Sequence, residues 1–175
     1  MNQHSNNNTA LTIAVLTVSD TRSEANDTSG DTLIEGIHQA NHVLAERVIV
    51  KDDIYQIRAV LSRWIADDNI HAIVTTGGTG FAGRDSTPEA VTPLFDKTIE
   101  GFGETFRQIS YQQIGSSTIQ SRAIAGLANF TAIFCLPGST NACKTGWHDL
   151  IEQQLNSHYK PCNFVTLLKH KGQSH

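Results

Sequence analysis

Hydrophobic and polar positions along the chain follow two alternating spacings. Residues 11–18 form a nearly unbroken apolar and β-branched run, the pattern of a strand buried on both faces. A polar loop through Asn26-Asp27-Thr28 follows, and Thr28 or Ser29 is placed to cap a helix with Leu33, Ile34, Ile37 and His38 on one face. Residues 43–50 read as a second strand. Ile54, Ile57, Leu61, Trp64 and Ile65 then make an amphipathic stripe, closed by Asp67-Asp68-Asn69. Ile73, Val74, Thr75 and Thr76 predict a third strand, which runs into glycines at 77, 78 and 80. Thr87-Pro88 opens the next helix, with Thr87 as cap, and Val91, Leu94 and Phe95 continue it.

This strand–helix alternation predicts an α/β fold: a three-layer, open, mostly parallel sheet flanked by helices. Its strand ends gather Ser19-Asp20, Asp52-Asp53 and the loop from Gly77 to Asp85 on one edge. The second half is less regular. Glu100-Gly101-Phe102-Gly103-Glu104 reads as an acidic, glycine-punctuated turn, followed by a helix from Glu104 or Thr105 to about Ile114. After a break at Gly115-Ser116-Ser117, residues 117–127 read as another helix. Residues 131–136 are a further buried strand, followed by Pro137-Gly138-Ser139 and a helix with Trp147, Leu150, Ile151 and Leu155. Residues 161–169 are expected to form an edge strand or an interface arm. One domain over 11–169 is expected, with tails at 1–10 and 170–175.

Composition narrows the function. A net charge of −4 argues against non-specific nucleic-acid binding. No apolar run is long enough to span a membrane, and no signal-peptide core is present, so a cytoplasmic protein is expected. Cys135, Cys143 and Cys162 have no metal or disulfide spacing, and Cys135 reads as a buried thiol. The eight histidines are scattered and read as non-ligands.

The chemistry concentrates after the third strand. Glycines at 77, 78 and 80 allow a sharp turn, and successive backbone N–H groups in such a turn can hold an anion. Gly78 to Gly83 spells G-x-G-x-x-G, but it follows the third strand rather than the first, and the helix opens only at Thr87-Pro88. A nicotinamide enzyme therefore ranks last. The Gly-Lys-Ser/Thr ending of a P-loop is absent. Asp85 and Asp52 or Asp53 are candidate Mg²⁺ ligands, because this hard ion takes carboxylates plus substrate phosphates. Asp53 also suits a helix cap, which leaves Asp52 the freer acid. Asp20 is equally an Asx-turn residue or a ligand. Ser139 or Thr140 could bind an anion at a helix start or merely cap it, and helix-start stabilisation accounts for Glu104.

Val18-Ser19-Asp20, Thr75-Thr76-Gly77-Gly78-Thr79-Gly80, Asp85 with Thr87-Pro88-Glu89, Glu100-Gly101-Phe102-Gly103-Glu104 and Pro137-Gly138-Ser139 together resemble the MoaB/MogA family of molybdenum cofactor biosynthesis. The stretches 115–123 and 160–164 resemble its MoaB-type members. The resemblance implies a molybdopterin-binding fold that assembles as a homotrimer or hexamer, with other enzymes of the pathway as possible partners. It implies adenylylation of molybdopterin by Mg-ATP with release of pyrophosphate. Asp52 and Asp85 would be the essential, Mg²⁺-binding acids. Thr76, Gly77, Gly78, Thr79 and Gly80 would hold a phosphate-bearing ligand. Ser19, Asp20, Glu104, Pro137, Gly138 and Ser139 would complete the binding site. Some MoaB-type members lack both aspartates, and this chain keeps acids at both matching positions, with Asp53 an alternative register for the first. A non-catalytic molybdopterin carrier is the alternative within the same family.

Overall fold

A computed structural model describes residues 8–173. In chain order the elements are β1 (Thr12–Val18), α1 (Thr28–Gln39), β2 (Val43–Val50), α2 (Ile54–Ala66), β3 (Ala72–Thr76), α3 (Thr87–Val91), β4 (Lys97–Thr98), α4 (Glu100–Ile114), β5 (Ile124–Ala128), β6 (Thr131–Leu136), α5 (Thr140–Gly146), α6 (Glu152–Gln154) and α7 (Val165–Leu168). A turn of π-helix, Trp147–Ile151, joins α5 to α6. The strands form one six-stranded sheet in the order β2-β1-β3-β6-β5-β4. β2, β1, β3 and β6 run parallel, while β5 and β4 are antiparallel to their neighbours.

The continuous apolar runs are explained by what covers each face. Side chains of a strand alternate between its two sides. Ile13 and Val15 of β1 therefore pack with Leu33 and Ile37 of α1, Phe106 of α4 and Trp147. Ala14, Leu16 and Val18 pack with Ile57, Leu61 and Trp64 of α2 and Val91 of α3. Both sides are dry, so a polar residue there needs a partner within the protein, as the Thr17 hydroxyl finds in Asp27.

Several local expectations are corrected. Asp27, not Thr28 or Ser29, caps α1, because its side chain accepts from the Gly30 amide. Ser86 occupies the cap position of α3, and the Thr87 hydroxyl donates instead to the Gly77 carbonyl at 2.9 Å. The stretch from Glu100 to Glu104 is no turn but the first turn of α4. Its Gly103 serves close approach: a Cβ there would lie 2.5 Å from the Ala123 carbonyl oxygen. Residues 117–127 are not a helix. Gly115 leaves α4 at φ +60, residues 115–120 form a 3₁₀ turn, and β5 follows as a strand. β5 returns to β6 through Asn129 and Phe130, both at positive φ, the backbone signature of a tight hairpin. The amide of Asn129 donates to Asp96, and its side-chain amide to the Ile65 carbonyl, which hold that turn in place.

Residues 161–169 contain the short helix α7 and no strand. Much of each expected tail, residues 1–7 and 174–175, lies outside the described residues. Of the rest, Asn8 accepts from the Ser157 amide at 2.9 Å. Lys171 is buried, donating to the carbonyls of Trp64 and Ile70 and to the Thr131 hydroxyl.

Candidate functional site

The carboxyl ends of β1, β3 and β6, together with α4, enclose a cavity of about 490 Å³. That volume suits a ligand the size of a small heterocycle with its phosphate. The glycine loop forms one wall. Gly77 and Gly78 stand at φ +100 and +68, where side-chain-bearing residues are strained. A Cβ on Gly77 would lie 2.1 Å from the Val18 carbonyl oxygen. The Gly77 amide continues the sheet by donating to Leu136. The carbonyls of Gly77 and Gly78 are both taken by Thr87, through its hydroxyl and its amide. In a trans peptide the C=O and the following N–H point in opposite directions. Pinning those carbonyls therefore turns the amides of Gly78 and Thr79 the other way. Among the described residues, the amides of Gly78, Thr79 and Gly80 have no partner in the protein. They form part of the cavity wall, where an anion would satisfy them.

Two acids flank this loop. Asp52, just past β2, accepts from the amide and hydroxyl of Ser86 on one carboxylate oxygen, Oδ1. Its other oxygen, Oδ2, lies 2.8 Å from where a Cβ on Gly78 would sit. Asp85 lines the cavity and accepts from the Ala82 amide at 2.7 Å. The same Asp85 oxygen lies 2.7 Å from the Cβ position of Gly80. Asp53 faces the other way in function: its Oδ1 accepts from Tyr55 and Gln56 as the cap of α2. Of the neighbouring pair, Asp52 is the one beside the glycines.

The remaining expected residues divide. Ser19, Thr76, Pro137, Gly138 and Ser139 line the cavity with residues 77–80. Ser139 also accepts from the Ala142 amide as the cap of α5. The Thr76 hydroxyl braces the wall by donating to the Pro137 carbonyl at 3.0 Å and accepting from the Cys143 thiol. Burial pushes that thiol up to about 11, so it stays protonated at neutral pH. Asp20 is not a cavity residue. It accepts from the Asp52 amide at 3.1 Å and pairs with Arg84 at 3.2 Å, which ties the β1 and β2 ends to the loop. Glu104 lies apart from this cavity: it is exposed and lines a separate hollow with Arg107, Ile119 and Arg122. Residues two apart on a helix do not share a face. α4 presents Phe106, Ser110, Gln113 and Ile114 to the cavity instead.

Arg22 went unrecognised in the sequence, yet it is the one basic residue among those lining the cavity. It donates to the Gly138 carbonyl at 3.0 Å and to Asp27 at 3.2 Å. The Asp27 carboxylate is fully buried, and desolvation works to raise its pKa. Hydrogen bonds from Thr17, the Gly30 amide, Arg47 and Arg22 outweigh that and hold it below the ordinary value. No periodicity or spacing distinguishes Arg22 from an ordinary loop arginine; only the fold brings it to Gly138. The cavity thus has a cationic end at Arg22 and an acidic, amide-rich end at Gly78, Gly80 and Asp85.

The chain matches known proteins over most of its length. Residues 14–157 match the family described as "probable molybdopterin binding domain". The chain is similar to molybdenum cofactor biosynthesis protein B of Escherichia coli (strain K12), at 51% identity over 157 residues, covering 90% of this chain and 92% of that protein. The protein of the same name from Bacillus subtilis (strain 168) is 44% identical over 142 residues, covering 81% and 84%. A crystal structure of molybdenum cofactor biosynthesis protein B superposes with a TM-score of 0.82 at 40% identity, covering 85% of this chain and 93% of its own. The tungsten cofactor synthesizing protein MoaB from Pyrococcus furiosus superposes at 0.75 with 37% identity, covering 82% and 92%.

Proposed function

The chain belongs to the molybdenum cofactor biosynthesis protein B family, and on that premise we propose that it transfers adenylyl from Mg-ATP to molybdopterin, releasing pyrophosphate. The observation that carries this reading is the placement of Asp52 and Asp85 against a loop with three unpartnered amides. A carrier needs the amides to hold a phosphate, but it has no use for two acids beside it.

The residues fit a divalent cation that is shared with a ligand. Among the described residues, no group of three or more His, Cys, Asp or Glu side chains could hold a metal ion. Each of the two aspartates, however, commits one oxygen to hydrogen bonds within the protein and keeps the other free of them. Two carboxylate oxygens plus phosphate oxygens and water make a typical Mg²⁺ shell. When bound, the ion supplies charge neutralisation for the phosphates. The chain's own residues do the rest. The amides of Gly78, Thr79 and Gly80 orient phosphate oxygens in a fixed frame that needs no rearrangement during reaction. Ser86 holds the Asp52 carboxylate, and the Ala82 amide holds that of Asp85. The walls from α4 and from Pro137-Gly138-Ser139 confine the acceptor near the nucleotide. A phosphate monoester is already ionised at neutral pH, so no general base is required.

Asp85→Asn tests this. Pyrophosphate release with Mg-ATP and molybdopterin should fall by about a hundredfold or more, the scale for removing one preorganised charge-stabilising group. Molybdopterin affinity should be retained. Equal release by variant and wild type would refute the role of Asp85, and no release by the wild type would favour the carrier reading.

A further inference from the structure

We propose that Arg122 is a positioning residue, holding the glycine loop and Asp85 in their binding geometry from behind. Arg122 stands just before β5, in the half of the sheet that supplies no strand end to the site. Its side chain nevertheless reaches back about 40 residues into the loop. Nε donates to the Gly80 carbonyl at 2.9 Å and, more weakly, to that of Thr79 at 3.3 Å. Nη2 donates to the Asp85 carbonyl at 2.7 Å, and Nη1 pairs with Glu89. The Arg122 main-chain amide also donates to Thr79, at 3.1 Å. The guanidinium lies 5.1 Å from the centre of the Phe81 ring, covered by a residue of the same loop.

The trans-peptide rule gives these contacts a consequence. The carbonyls of Thr79 and Gly80 face Arg122, so the amides of Gly80 and Phe81 point the opposite way. Thr87 does the same for the amides of Gly78 and Thr79. Arg122 thereby completes the row, and its grip on Asp85 sets the distance between the acid and the amides. Only a planar fork with several donors can serve three carbonyls and a carboxylate together; a lysine ammonium keeps the charge but loses that geometry. Its positive charge behind the loop also favours an anion in front of it.

The inference rests on the loop's proposed phosphate-binding role, so the test separates the two. Hydrogen exchange of peptides covering residues 77–86 is followed in wild type, Arg122→Ala and Arg122→Lys, alongside calorimetric binding of Mg-pyrophosphate. Arg122→Ala should speed exchange at the loop's hydrogen-bonded amides, those of Gly77, Ala82, Asp85 and Ser86, by about ten- to a hundredfold, the scale for losing hydrogen bonds to a charged group, and weaken pyrophosphate similarly. Millimolar guanidinium should restore both, and Arg122→Lys should behave like the alanine variant in the loop. Unchanged loop exchange in Arg122→Ala would overturn the proposal. So would acceleration spread evenly over the domain, since that marks a general stability element. If Arg122→Ala does not fold, Arg122→Lys decides: local loosening supports the proposal, and wild-type exchange refutes it. Failure of the wild type to bind Mg-pyrophosphate would count against the phosphate role of the loop, while the exchange data would still judge Arg122.

Discussion

The parallel and antiparallel halves of the sheet contribute to the site in different ways. β1, β3 and β6 are buried strands and β2 is the parallel edge strand; their carboxyl ends bring Ser19, the glycine loop and Pro137-Gly138-Ser139 to the cavity, with Asp52 beside Gly78 just outside its lining. β5 runs the other way, and β4, antiparallel to β5 and so aligned again with β6, spans only two residues. Their contribution is enclosure: α4 and the 3₁₀ turn beyond it supply Phe106, Ser110, Gln113, Ile114 and Ser117 as the facing wall. Chemistry comes from one half and confinement from the other, with Arg122 as the tie between them. The lesson is that parallel topology concentrates functional groups because every strand ends at the same edge. An antiparallel pair sends alternate ends away, so it serves better as a wall.

This contrast can be broken or sharpened. The largest effect should come from Asp27→Ala behind the parallel strand ends. It leaves two arginines facing a buried gap, and breaking a buried pair costs about 3–5 kcal/mol. Denaturant unfolding measures it, and a loss below about 1 kcal/mol would show that the network is incidental. Next comes Gly77→Ala. At φ +100 and against the Val18 carbonyl, it should cost roughly 1–3 kcal/mol and abolish ligand binding by the loop, read by the same unfolding curves with calorimetry.

A smaller effect is expected from acid at the opposite end of β1. His71 accepts from the Thr12 amide through Nδ1, and His42 accepts from the Leu11 amide in the same way. Burial, then Lys169 and Lys171, pushes His71 down to about 4. Burial likewise lowers His42, helped by Lys169 and opposed by Glu152. The neutral ring is the folded form, so its contribution is complete above the ordinary value near 6.5. It is lost progressively as pH falls from there towards 4. Melting temperature should decline across that window, and His71→Asn should make the decline shallower. An identical slope in the variant would dismiss His71 as its source.

The smallest effect is expected in the antiparallel half. Glu104→Gln should leave stability within about 0.5 kcal/mol and pyrophosphate release close to wild type, because the side chain is exposed and outside the cavity. A large loss of release would place Glu104 back in the site.

Legibility followed the same division. β1, β3 and β6 were readable because strands covered on both faces demand continuous apolar runs, β2 because its β-branched residues favour a strand even at the half-exposed edge, and α2 because Ile57, Leu61 and Trp64 share one face. The glycine loop was readable because few sequences other than glycines can turn there. β5 was not. Ile124-Ala125-Gly126-Leu127-Ala128 has no strand-like composition, and it follows a break that suits a helix start. Its hairpin puts a phenylalanine at φ +56, a choice no local preference would make. Contacts from Asp96 and Ile65 hold that turn. Arg22 and Arg122 were equally opaque as site residues, since their partners lie 116 and 42 residues away.

By itself, then, the sequence determined the parallel core, the glycine loop and the presence of acids at the strand ends beside it. These depend on properties each residue carries locally: β-branching, the lack of a Cβ, a short carboxylate side chain. Tertiary structure alone decided that Asp52 rather than Asp53 lies beside Gly78, that Glu104 faces away, and that two arginines bracket the cavity and its loop. Those outcomes depend on which backbone carbonyls and carboxylates meet across the fold, and no local pattern of side chains encodes such meetings.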